Sequence, residues 1–155
     1  MSTAVKPVVV ERSTNPGFHD RFAQFTTDPI LTVLRPDRPN GASLLLIPGG
    51  PGAYNDKHEE LQPWLRQAIQ ASCRYGSICT GAFVLGHAGL LDGYRVTTHW
   101  HYTERLIKAF PKAVVETDRI YLQDGRLITS GGVTAGIDLA LSVVAQDHGK
   151  HVAVE

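Results

Sequence analysis

The chain has 155 residues, enough for one domain with a buried core. Its 15 basic and 15 acidic residues cancel, so no charge footprint points to direct binding of nucleic acid or of an anionic membrane. No apolar run approaches the length of a membrane-spanning helix, and the start MSTAVKPVVVERS lacks the layout of a signal peptide. The 2 cysteines, Cys73 and Cys79, fit neither a C-x-x-C nor a zinc spacing, which reads as reduced thiols in a cytoplasmic protein.

Taken in order, residues 1–42 form an atypical N-terminal segment and 43–155 the core of a single domain. Val8–Val10 suggests a strand, Ser13–Asp20 is turn-rich, and Ile30–Leu34 suggests a second strand. Pro29 makes an edge position the easier one for that strand. Ser43–Ile47 is a continuous apolar run bounded by Asn-Gly and Pro-Gly, the pattern of a strand buried on both faces. Asp56–Ser72 reads as a helix, with Leu61, Trp64, Leu65, Ala68 and Ile69 forming one apolar stripe. A strand then leads into Cys79, and a helix over Thr80–Ala88 follows, ended by Gly89.

Tyr94–Thr98 is a short strand, and Tyr102–Phe110 a helix with Tyr102, Leu106, Ile107 and Phe110 on one face. Ala113–Glu116 is another short strand. Ile120–Leu122 and Arg126–Thr129 flank Asp124-Gly125, a hairpin signal. Ser130–Gly136 is a glycine-rich turn into the apolar helix Ile137–Ala145, which by its composition is buried on most sides. Strand and helix alternate, which gives an α/β domain: a three-layer, flavodoxin-like parallel sheet with helices on both faces and a β-hairpin.

The chemistry gathers around Ser77-Ile78-Cys79-Thr80-Gly81, which has the spacing of the nucleophile elbow G-x-S-x-G with cysteine in the serine place. Small residues suit such a turn because strand and helix backbones come close together. A thiol lifted there sits at a helix N-terminus, which favours thiolate; the alternative is a packed structural cysteine. Cys73, at the end of the preceding helix, has the features of a packing residue. Gly49 and Gly50 follow a core strand, so their N–H groups, with that of Thr80, can form an anion hole. His99 ends a strand on the same sheet edge and can approach Cys79 as ion-pair partner or general base. Trp100 and Tyr102 either close this site or pack at a dimer face. His99 and His101 make an H-x-H pair, but no third ligand is spaced to complete a metal site.

The stretches IPGGPG, GSICTGAFVLGHAGLLDGYRVTTHW and ITSGGVTAGIDLAL resemble the ThiJ/PfpI superfamily, which shares the class I glutamine amidotransferase-like fold. Within it, the chain is most similar to the sensor domain of AraC-type regulators and to isonitrile hydratase-like enzymes. The resemblance implies Cys79 and His99 as catalytic residues, with Gly49, Gly50, Thr80 and Trp100 contacting the ligand and the Thr80 hydroxyl bonding a substrate. His-x-Glu of an amidotransferase is replaced by His99-x-His101, which disfavours a glutaminase. Residues 8–50 instead resemble the opening strands of an α/β-hydrolase esterase, and the family's acidic partner to the cysteine has no evident counterpart among Glu11, Asp20 and Asp28. The regulator branch continues into a helix-turn-helix region, for which a chain ending at Glu155 leaves no room.

The expectation is therefore a small-molecule-binding domain of this type, a homo-oligomer with no metal or cofactor, no membrane contact and no direct nucleic-acid binding. The alternative is a cysteine-dependent enzyme, a hydratase, glyoxalase or hydrolase, built on Cys79 and His99.

Overall fold

The computed structural model describes residues 9–11, 31–34 and 42–154. The stretch Ser13–Asp20 and the acid Asp28 lie outside the described residues. The strands are β1 (Val9–Glu11), β2 (Leu31–Leu34), β3 (Ala42–Ile47), β4 (Arg74–Ile78), β5 (Arg95–Val96), β6 (Val114–Val115), β7 (Tyr121–Asp124) and β8 (Leu127–Ser130). The helices are α1 (Pro51–Asn55), α2 (Gln62–Ala71), α3 (Ala82–His87), α4 (Thr103–Ala109), α5 (Val133–His148) and α6 (Lys150–Val154). Short 3-10 turns occupy Cys79–Gly81 and Trp100–Tyr102.

The main sheet runs β1-β2-β3-β4-β8-β7. Its centre, β3, β4 and β8, is parallel. The pairs β1–β2, β2–β3 and β7–β8 are antiparallel. Two expectations change here. The second strand is not at an edge but lies between β1 and β3; it starts at Leu31, so the ladder asks for no N–H from Pro29. The strands after the Cys79 helix do not extend the sheet either: β5 and β6 form a separate parallel pair, and the hairpin strand β8 takes the place beside β4. Burial explains the choice. All four residues of β8 are buried, as an internal strand requires, whereas β5 exposes Arg95.

Alternate residues of the parallel strands feed two cores. On one face Leu45, Ile47, Tyr75 and Leu127 pack with Leu65 and Ile69 of α2, Phe83 and Leu85 of α3, and Leu106 of α4. On the other, Leu44, Leu46 and Ile128 pack with Leu139 of α5, and Val143 leans against them. Each fully buried leucine contributes about 2 kcal/mol. Helices thus cover both faces, as the alternation of elements predicts.

Helix α2 begins later than its stripe suggests, at Gln62, because Pro63 suits a first turn but not an interior. Its far end is held by Arg126, whose guanidinium donates to the carbonyls of Ile69 (2.6 Å), Cys73 (3.1 Å) and Ser72. The Ile69 carbonyl also accepts the Ser72 N–H at 3.2 Å, so Arg126 reinforces the helix C-terminus. Two helical faces depart from expectation. Ile107 of α4 is 43% exposed, and on α5 Ile137 and Leu141 are 61% and 44% exposed. α5 meets the sheet through Leu139 and Val143, and a straight helix can turn only one side to a flat sheet.

Candidate functional site

The turn after β4 is built by crowding. Cys79 has a φ of 57°, a left-handed conformation that costs a non-glycine residue on the order of 1–2 kcal/mol. The surroundings hold it there. A Cβ on Gly81 would lie 2.2 Å from the Ile47 carbonyl oxygen. A Cβ on Gly49 would lie 2.8 Å from Cys79 Cβ and 2.9 Å from the Thr80 nitrogen. The two glycines let the end of β3 pass directly against the turn, so the elbow spacing seen in the sequence corresponds to real contact between backbones.

Thr80 is buried, and its hydroxyl is spent inside the protein. Thr80 Oγ1 accepts from the Gly50 N–H at 2.9 Å and donates to the Gly50 carbonyl at 3.2 Å. This alters two expectations. The Gly50 amide is occupied rather than available to an anion, and the Thr80 hydroxyl clamps the Pro-Gly-Gly turn instead of pointing at a ligand. The clamp also holds Gly50 at a φ of 148°, a region that glycine enters without penalty.

His99 is carried to the same edge by its neighbour. The Thr98 hydroxyl donates to the Cys79 carbonyl at 2.8 Å, which pins the end of β5 to the elbow. His99 Nδ1 accepts from the His101 N–H at 3.2 Å, so the proton of the neutral ring sits on Nε2. His99 therefore presents a donor, suited to hold a negative charge. Trp100 is 73% exposed and lies beside His99 at the rim, ring centroids 5.5 Å apart. His101 is exposed and serves through its backbone. Among the described residues no group of three or more His, Cys, Asp or Glu side chains could hold a metal ion. Hydrogen bonding by Cys79 among the described residues runs through its carbonyl, with no carboxylate bonded to it.

Three further residues belong to the site. Tyr54, on α1, packs on Tyr102 with ring centroids 4.5 Å apart. The Tyr54 phenol raises the Tyr102 pKa, burial raises it further, and the Arg105 guanidinium lowers it. Arg105 donates to the Tyr54 carbonyl at 2.8 Å and stacks over its ring at 4.9 Å, fixing α1 to α4. Thr98 is the third. Tyr54 had a sequence signal in its closeness to the Gly-Gly turn; Arg105 and Thr98 act across elements and had none. Cys73 is partly buried at the end of α2, and neither cysteine is in a disulfide.

The geometry can now be set beside known proteins. The protein-family model described as DJ-1/PfpI family matches residues 3–146, and so extends over the segment that reads as esterase-like. The chain is 43% identical over 95 residues to the HTH-type transcriptional regulator CdhR of Pseudomonas aeruginosa, covering 61% of this chain and 28% of the regulator. It is 41% identical over 104 residues to the isonitrile hydratase of Pseudomonas putida, covering 66% of this chain and 44% of the enzyme. A crystal structure of a ThiJ/PfpI family protein from Pseudomonas syringae superposes with a TM-score of 0.65 at 32% identity, covering 74% of this chain and 47% of that one. The chain spans less than half the length of each of these relatives. Among the described residues no helix is long and apolar enough to cross a membrane. With a family match over nearly its whole length and a flavodoxin-like neighbour of the same kind, the chain belongs to the DJ-1/PfpI family.

Proposed function

We propose that this chain is a small-molecule-binding domain whose ligand docks over Cys79, at the carboxyl edge of β4, between Tyr54, His99 and Tyr102. The observation that carries this reading is the left-handed Cys79, held out at the start of a helix where α/β sheets bind ligands. Similarity to CdhR supports a role as the ligand-responsive part of a regulator. The zero net charge supports assigning nucleic-acid contact elsewhere than to these residues. A reducing cytoplasm suits two cysteines without a disulfide, and the exposed Ile137 and Leu141 suit a homo-oligomer.

A second reading is a cysteine-dependent enzyme, favoured by the isonitrile hydratase relative. There the Cys79 thiolate would add to an electrophilic carbon. The amides of Thr80 and Gly49 would hold the developing anion, His99 Nε2–H would donate a hydrogen bond to it, and water would supply the proton that completes the addition. Binding ranks first on the similarity to the regulator CdhR, 43% identical over 95 residues.

Alkylation of Cys79 by iodoacetamide, in a Cys73→Ala background, tests both readings. A panel of small metabolites is expected to contain compounds that slow alkylation saturably; protection by none of them would sink the binding reading. An alkylation midpoint well below pH ~8.5, with turnover of isonitriles or α-oxoaldehydes that Cys79→Ala abolishes, would put the enzyme first.

A further inference from the structure

The second strand-to-helix turn on this edge, from β8 through Gly131 and Gly132 into α5, is built to receive an anion. α5 is a 16-residue helix whose N-cap is Gly132, with no side-chain cap and no acidic residue in its first turn. Its first amides, those of Thr134 and Ala135 among them, have no acceptor within the helix, and its N-terminal partial charge has no counter-charge there.

A second, independent observation points to a ligand. Ser130 is completely buried, and its hydroxyl has no hydrogen-bond partner among the described residues. Its direction follows from register. Ser130 is paired with Ile78 across the parallel ladder, so the two side chains share a face. A Cβ on Gly136 of α5 would lie 3.5 Å from the Ile78 side chain. The Ser130 hydroxyl is therefore on the face roofed by the first turn of α5. Space is also present: among the described residues nothing lies within 4 Å of where a Cβ on Gly132 would stand. Ser77, likewise buried and unpartnered, alternates to the opposite face and away from α5. Because Ile78 directly precedes Cys79, this turn lies one strand spacing from the thiol.

We propose that the turn binds the carboxylate of the ligand. The Ser130 hydroxyl and the Thr134 and Ala135 amides donate to its oxygens, and the remainder of the molecule extends toward Cys79. This rests on the reading that a ligand docks over Cys79, and it narrows that ligand to small organic acids.

The test is an amide-resolved NMR titration of the whole chain with sodium acetate, with acetamide as the neutral isostere and sodium chloride at equal ionic strength. The Thr134 and Ala135 signals are expected to shift saturably with acetate and not with the other two. Ser130→Ala, with an otherwise unchanged spectrum, is expected to bind acetate about tenfold more weakly. Equal shifts with acetamide or chloride in the wild-type chain would overturn the proposal, as would undiminished acetate binding by Ser130→Ala. Acids and their methyl esters are then compared as protectors of Cys79 from alkylation. Esters that protect as well as acids would overturn the carboxylate assignment while leaving the ligand over Cys79. Saturable acetate binding with no protection by either would instead overturn the Cys79 reading and leave the α5 anion site standing.

Discussion

Between β4 and α3 the chain turns in a crowd, with Cys79 at a φ of 57° and glycines pressed against backbone on both sides; between β8 and α5 it is less crowded, with a Cβ on Gly131 standing 3.3 Å from the Thr98 oxygen and a Cβ on extended Gly132 meeting nothing within 4 Å among the described residues. The two turns share one sheet edge and neighbouring strands. The first uses its crowding to project a side chain, because neighbours that leave no room for relaxation can hold a strained residue in place. The second leaves backbone amides without an acceptor in the helix and a buried hydroxyl unpaired among the described residues, which suits a group that arrives from outside.

The largest expected difference between them is in their tolerance of a methyl group. Gly81→Ala would force Cβ to within 2.2 Å of the Ile47 oxygen, a backbone atom that cannot swing aside. A loss of roughly 3 kcal/mol or more is expected, read as a fall in the denaturant midpoint or a failure to fold. Gly132→Ala places its Cβ in free space on extended backbone and is expected to change stability by less than ~0.5 kcal/mol. Equal costs at the two sites would erase the contrast.

Next is the clamp. Thr80→Val keeps the shape of the side chain but strips both hydrogen bonds to Gly50, leaving the Gly50 N–H without its partner. A loss of about 2 kcal/mol is expected in chemical unfolding, together with faster hydrogen exchange at the Gly50 amide. Unchanged exchange at Gly50 would mean that the turn holds itself.

The smallest effect concerns the strain itself. Cys79→Gly and Cys79→Ala both remove the thiol, but only glycine tolerates the left-handed backbone. The glycine variant is expected to be the more stable by about 1 kcal/mol, against the usual order of the two residues. If alanine proves the more stable, the residue is not strained and the first turn resembles the second.

Much of this was legible in the chain. Leu44–Ile47 announced a strand buried on both faces, because an unbroken apolar run has no polar side to turn to water. Ser77–Gly81 announced a tight turn at a cysteine through the small residues that such a turn needs. Less legible were the features that depend on a partner element. The apolar run after Gly136 said that α5 would be buried, yet Ile137 and Leu141 are exposed, because hydrophobicity states what a helix would bury and not what is there to bury it. In the same way β5 reads as a sheet strand, but β8 fills the place beside β4.

The sequence by itself determined the α/β class and the family, and singled out the turn at Cys79 as the candidate site, since each is written in local periodicity and in the spacing of small residues around Cys79. Only the tertiary structure decided how that site is wired. That Thr80 holds Gly50, that Thr98 tethers the His99 segment to Cys79, and that Ser130 lies unpaired beneath α5 are contacts between residues at least 19 apart or facts of shared register. A hydroxyl has several possible partners, and which one it meets is fixed by the packing of whole elements rather than by its neighbours in the chain.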